Sequence, residues 1–229
     1  MMDAIPLRIE WNIATPWCAP AFGLHLDGLI GHAVIQEAER DGRVFTSYDD
    51  LLNTLPFERH DANGDWCWKA SLVTPLAVRG SERVYMTAKT ATQSMAGAMV
   101  DGLITGRPIK SIDTVRGAFK NDAFWYTIEH VDQLHAWCIG DPERITELLA
   151  LVTHVGKRAR LDHGRIALRE QTDADEGGLD YSVVEDPLAL DLWKRRCMPE
   201  AVAGYAPVQS RLRPPYWQGE GAVVCWRPV

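Results

Sequence analysis

The first regular pattern in the chain is an alternation. Between Leu7 and Ala14 the apolar residues Leu7, Ile9, Trp11 and Ile13 occupy every second position, the period of a half-buried strand. From His25 to about Arg40 the spacing changes to Leu26, Leu29, Ile30, Ala33 and Val34, a helical stripe that Asp41-Gly42 should end. After a mostly polar stretch at 46–65, Trp66–Val73 and Arg83–Thr90 read as two strands joined around Thr74-Pro75 and Gly80. Phe124–Ile128 and Leu134–Ile139 are strand-like, and the short gap between them predicts a hairpin. The best-marked helix follows. Asp141 is placed to cap it, Pro142 suits its first position, and Ile145, Leu148, Leu149 and Val152 form its stripe. Gly156 is expected to end that helix, and a further strand is expected at Arg165–Arg169.

The predicted order is therefore β, α, β, β, α, β, an α+β, ferredoxin-like (RRM-like) split βαβ core. Two additions are expected on it. Residues 91–123 combine weak periodicity and scattered glycines with Arg107, Lys110, Arg116 and Lys120, and read as a projecting, partly irregular insertion with a basic face. The proline-rich end of the chain reads as short strands and turns. The expected organisation is a domain at 1–170, carrying its insertion at about 91–123, with a small β-rich extension at 171–229 packed on it.

Composition narrows the class. Hydrophobic residues make up 46 % of the 229, enough for a sizeable core, and no stretch approaches the roughly 20 apolar residues that span a bilayer. The N-terminus has no basic and apolar leader pattern, so a cytoplasmic location is expected. Five scattered cysteines without a CxxC pair argue against a disulfide framework or a closed zinc site, and neither metal nor cofactor is expected. Residues 1–65 hold four cations and eleven acids, which accounts for the whole net charge of −7. The remainder is neutral but segregated: residues 156–169 carry five cations and one acid, and residues 170–187 carry seven acids and no cation. Local patches of this kind decide what a surface binds more than total charge does.

The cationic patch lies in His154-Val155-Gly156-Lys157-Arg158-Ala159-Arg160-Leu161-Asp162-His163-Gly164-Arg165-Ile166, between the second predicted helix and the last strand. Glycine allows tight turns and close approach, and Lys and Arg neutralise phosphate, so the loop is a candidate for holding a phosphate backbone. A loop at this place resembles the glycine-rich loop of CRISPR-associated RAMP-superfamily proteins. Their frame is Gly, apolar, Gly, five residues, then Gly, apolar, Gly; here it keeps Gly156 and Gly164, with His154 and Asp162 at the other two glycine positions. The stretch Leu26-Asp27-Gly28-Leu29-Ile30-Gly31-His32-Ala33 is similar to the segment opening the first helix in several RAMP subunits. Length, layout and the Trp-rich strands resemble most closely the backbone subunit of type IV CRISPR effector complexes that holds the 5′ handle of guide RNA.

That resemblance implies a non-catalytic RNA-binding subunit of a ribonucleoprotein used in antiviral defense. Its partners would be the guide RNA (crRNA), other backbone subunits and the large subunit, with target nucleic acid reached indirectly and no membrane. The insertion would be a thumb-like projection. The expected RNA contacts are Gly156, Lys157, Arg158, Arg160, His163, Gly164 and Arg165, with Arg107, Lys110, Arg116 and Lys120 in a second set. Lys194-Arg195-Arg196 and Arg211-Leu212-Arg213 form a third basic set, which reads as exposed charge on C-terminal strands. Trp11, Trp125 and Trp137 are expected in the core, Trp66 and Trp68 on a shared strand face, and Trp217 as a possible contact. The alternative is a metal-independent endoribonuclease that processes guide RNA with His25 as general acid–base, since histidine titrates near neutrality.

Overall fold

A computed structural model describes residues 4–43, 47–89, 91–103, 113–116, 120–170, 177–216 and 220–229. Strand β1, Ile5–Asn12, follows from the alternation: Leu7, Ile9 and Trp11 are buried, and Arg8, Glu10 and Asn12 between them are half-buried. A short strand β2, Leu24–His25, leads straight into α1, Leu26–Arg40, whose buried face carries Leu26, Leu29, Ile30, Ala33 and Val34. The next elements are α2 (Tyr48–Leu52), β3 (Arg59–Ala62), β4 (Asp65–Trp68), β5 (Leu72–Pro75), β6 (Gly80–Ala88), α3 (Thr92–Val100), β7 (Asp122–His130) and β8 (Gln133–Gly140). Helix α4, Pro142–Leu149, is capped as its sequence requires, with the Asp141 carboxylate accepting from the backbone N–H of Glu143 at 3.0 Å and Arg144 at 3.1 Å. The chain continues through β9 (Leu168–Arg169), β10 (Gly178–Leu179), β11 (Tyr181–Glu185), α5 (Ala189–Leu192), β12 (Tyr205–Ser210) and β13 (Val223–Pro228).

The main sheet has the order β11-β1-β8-β5-β2, with every pairing antiparallel. The fold is thus α+β. Leu134, Ala136 and Cys138 of β8 enter the larger core with the stripes of α1 and α4, whereas Ile139 joins a second cluster with Cys67, Trp193, Cys197, Met198, Leu212 and Cys225. Both faces of β8 are therefore covered, which explains its unbroken apolar run. Helices α1 and α4 are joined by Glu37, whose carboxylate receives Arg144 Nη1 at 2.9 Å and Nη2 at 2.5 Å, and Arg43 Nη2 at 2.8 Å. All five cysteines are buried thiols, and no described helix is long and apolar enough to cross a membrane.

Four sequence expectations need correction. The strand expected at Trp66–Val73 is two strands, β4 and β5, which belong to different sheets. Strands β7 and β8 do not form a hairpin with one another: β8 pairs with β1 and β5, while β7 pairs with β6. Adjacency in sequence suited a hairpin, but burial on both faces draws β8 into the middle of the main sheet. Gly156 does not end α4, which stops at Leu149; the last bonds shorten to Leu151 N–H with Leu148 C=O and Val152 N–H with Leu149 C=O. Arg165–Arg169 is not the sheet's next strand. Only isolated bridges at Arg165 and Ile166 and the short β9–β10 ribbon form there, and β11 takes the place beside β1.

The chain divides into two compact units, residues 1–81 with 129–229, and residues 82–128. The second holds most of the β6–β7 ribbon together with α3, a helix with no buried residue, so the stretch at 91–123 is not irregular throughout. Its Trp125, expected in a core, is 55 % exposed, with the Arg83 guanidinium 4.0 Å from its ring centroid. A two-stranded ribbon supplies no second layer to cover it.

Candidate nucleic-acid interface

The loop at 154–166 is anchored at both ends by apolar side chains, Val155 and Ile166, which are fully buried. His154 and Arg165 form an antiparallel bridge, and Val155 N–H donates to Gly164 C=O at 2.8 Å, closing the base. The floor is Thr15–Cys18. There Pro16 C=O accepts from Gly164 N–H at 2.9 Å, and Cys18 C=O from Lys157 N–H at 2.9 Å. Both glycines are needed for shape and for space. Gly156 has φ +112°, and a Cβ would stand 2.6 Å from Trp17 Nε1; Gly164 has φ +69°, and a Cβ would stand 2.0 Å from Val155 O.

The two other glycine positions of the frame are filled by partners. His154 Nε2 lies 3.2 Å from Asp162 Oδ1, and Asp162 adopts φ +61°, a left-handed conformation that aspartate tolerates better than most side chains. The Asp162 carboxylate also meets Arg165 Nε at 3.1 Å, while its carbonyl accepts from Thr15 Oγ1 at 2.5 Å. Thr15 Oγ1 in turn accepts from Arg165 N–H at 2.9 Å. The loop's acid is thus spent on its own closure, and it takes much of Arg165's charge with it.

Between those ties, Lys157, Arg158 and Arg160 are exposed on a turn formed by Arg158 at φ +68° and a single 3₁₀ turn at Ala159–Leu161. The structure brings these three cations together on a backbone fixed on two sides. His163 is half-buried and Gly164 buried. Of the second set, Lys120 is exposed and 3.7 Å from Asp122, Arg116 N–H bonds Asp113 Oδ1 at 3.1 Å, and Arg107 and Lys110 lie outside the described residues, as does Trp217.

On one side of the loop is a cleft of roughly 500 Å³ that Lys157 shares with Phe22, Leu24, His25, Ser210 and Tyr216. His25 is buried and stacked on Tyr216 with ring centroids 4.0 Å apart and planes 17° from parallel. Its pKa is held well below the usual histidine range by burial and by the nearby Arg196 guanidinium, so the ring is neutral at pH 7. Among the described residues its Nδ1 has no hydrogen-bond partner. Phe22 and Tyr216 were missed by sequence reasoning; only Phe22, an isolated aromatic between Pro20 and Gly23, gave any signal.

Arg196, expected as exposed charge, is instead completely buried. Its guanidinium reaches Asp27 Oδ2 at 3.1 Å, the carbonyls of Trp68, Ala70, Cys197 and Leu212 at 2.7, 3.0, 3.3 and 2.6 Å, and Tyr216 Oη at 2.8 Å. Tyr216 Oη lies 2.8 Å from both Asp27 oxygens. This network ties the C-terminal segment to the start of α1 and to β4. Arg213, from the same expected set, lies 4.3 Å from the Trp66 ring centroid, as does Arg59, so Trp66 is flanked by cations while Trp68 is buried. Among the described residues no group of three or more His, Cys, Asp or Glu is placed to hold a metal ion.

No curated protein matches the chain. The family model for CRISPR type IV associated protein Csf3 matches residues 5–228.

Proposed function

The chain belongs to the CRISPR type IV associated Csf3 family, and from that premise we propose that it is a non-catalytic subunit whose 154–166 loop grips the backbone of guide RNA. The observation that carries this reading is the display of Lys157, Arg158 and Arg160 on a turn braced by Gly156 and Gly164 against Trp17 and Cys18. A backbone fixed in advance presents its cations to successive phosphates of a single strand without first having to be ordered itself. In this reading the strands β11-β1-β8-β5, with α1 and α4 as crossovers, are the ferredoxin-like core of a RAMP protein. The β-rich extension then begins after β11 rather than at residue 171. The unit at 82–128 corresponds to the thumb-like projection, and the RNA segment held is the 5′ handle at the end of the backbone filament. Other backbone subunits and the large subunit are the protein partners, and target nucleic acid is reached through the guide.

A neutral, buried His25 is poorly suited to protonate a leaving group, which favours binding over cleavage. The test is co-purification of RNA with a variant in which Lys157, Arg158 and Arg160 are all replaced by Glu. The variant should fold with an unchanged circular dichroism spectrum and carry no RNA. A folded variant that keeps its RNA would remove the loop from the account, and metal-independent cleavage of precursor RNA that disappears in His25→Ala would establish the enzyme instead.

A further inference from the structure

The cleft beside the loop offers a different kind of surface from the cations above it. We propose that it takes one nucleobase of the RNA whose backbone the loop holds, stacked against the aromatic wall of Phe22, His25 and Tyr216 with the adjoining phosphate on Lys157. This inference rests on the loop being an RNA grip. The volume, roughly 500 Å³, lies in the range of small-ligand sites. Lys157 is the charged side chain among the described lining residues and no carboxylate joins it, so the cleft favours an apolar, planar group that carries an anion. An acidic peptide would find too few cations here, and an aliphatic chain would gain nothing from Lys157.

The wall is built in advance. Tyr216 is fixed by its hydroxyl on Asp27 and Arg196, and its ring holds His25 in a near-parallel stack. Glycine at position 28 is part of that construction, since a Cβ there would press on the Tyr216 ring at 3.3 Å. His25 is neutral, so the wall presents π-faces rather than a second cation that would compete for phosphate. Among the described residues the enclosed His25 Nδ1 has no hydrogen-bond partner. At the mouth, Phe22 is 78 % exposed; a base covering it removes a large apolar ring from water.

The test uses the intact protein and a synthetic single-stranded RNA carrying the repeat-derived 5′ end of the guide, with abasic nucleotides placed one position at a time. Wild-type protein should lose about tenfold in affinity at one position and little at the others, in keeping with the loss of one stacked base. Phe22→Ala, a change at an exposed side chain, should bind the complete RNA about tenfold more weakly and become indifferent to the abasic nucleotide at that position. A flat abasic scan, or Phe22→Ala binding like wild type, overturns the base site while leaving the loop as an RNA grip. Phe22→Ala that keeps RNA affinity but loses a neighbouring subunit overturns it in favour of a protein segment. If wild-type protein binds no RNA at all, both this inference and the reading beneath it fail.

Discussion

The guanidinium of Arg196 has six hydrogen-bonded neighbours and no contact with water, whereas Arg158 and Arg160 stand exposed on a loop about forty residues earlier in the chain. The side chains are the same; the carboxylates and carbonyls around them differ. Around Arg196, the Asp27 carboxylate and four backbone carbonyls are aimed inward. In the loop, the nearby acid, Asp162, is turned to His154 and Arg165. A buried cation holds segments of the fold together, and an exposed group on a fixed backbone is open to a ligand. Local charge density says nothing about which of the two a given arginine does.

Removing Arg196 tests the buried side of this contrast most severely. Arg196→Met strands Asp27 in a closed site, and breaking a buried pair by losing one partner costs about 3–5 kcal/mol, to be read from denaturant unfolding. Next comes Gly164→Ala, which puts a Cβ into Val155 O and a side chain at positive φ; strain of about 1–3 kcal/mol is expected, with weaker RNA binding because the turn must open. Stability and affinity should fall together in that variant, unlike in any variant that only removes charge.

Glu37 is an intermediate case, largely covered but at the surface between α1 and α4. Hydrogen bonds from Arg144, aided by Arg43, hold its pKa at about 2 against an ordinary 4.5. A carboxylate with a depressed folded pKa contributes stability above its unfolded value and loses it as the pH falls. The Glu37 contribution should therefore be complete above about 4.5 and disappear between there and about 2. Glu37→Gln should cost about 1 kcal/mol at pH 7 and flatten that part of the acid-unfolding curve. The smallest change in stability, within about 0.5 kcal/mol, is expected when Lys157, Arg158 and Arg160 are all replaced by Ala, since all three side chains are exposed and the backbone bonds of the turn remain.

Elements with their own local chemistry were legible in the sequence. The alternation of β1, the Asp141-Pro142 start of α4 and the place of the cationic loop were all visible in neighbouring residues. What depended on distant partners was not. Asp27 and Arg196 are 169 positions apart, so neither the burial of Arg196 nor the fixing of Tyr216 could be inferred from the Lys194-Arg195-Arg196 run. Strand β11 was hidden because Tyr181–Glu185 is short and follows an acidic stretch; it is held by β1, not by a pattern of its own. The His154–Asp162 pair was visible only as two departures from a glycine frame, and the structure turns those departures into a single contact. The cleft could not be foreseen because its walls come from residues 20–28, 157 and 210–216.

The most direct test of the central claim is the salt dependence of RNA binding. Each phosphate neutralised on a single strand contributes about 0.7 to the slope of log affinity against log salt concentration. If Lys157, Arg158 and Arg160 each meet a phosphate, replacing all three with Ala should lower the magnitude of that slope by about two. An unchanged slope in a folded triple variant would contradict the account.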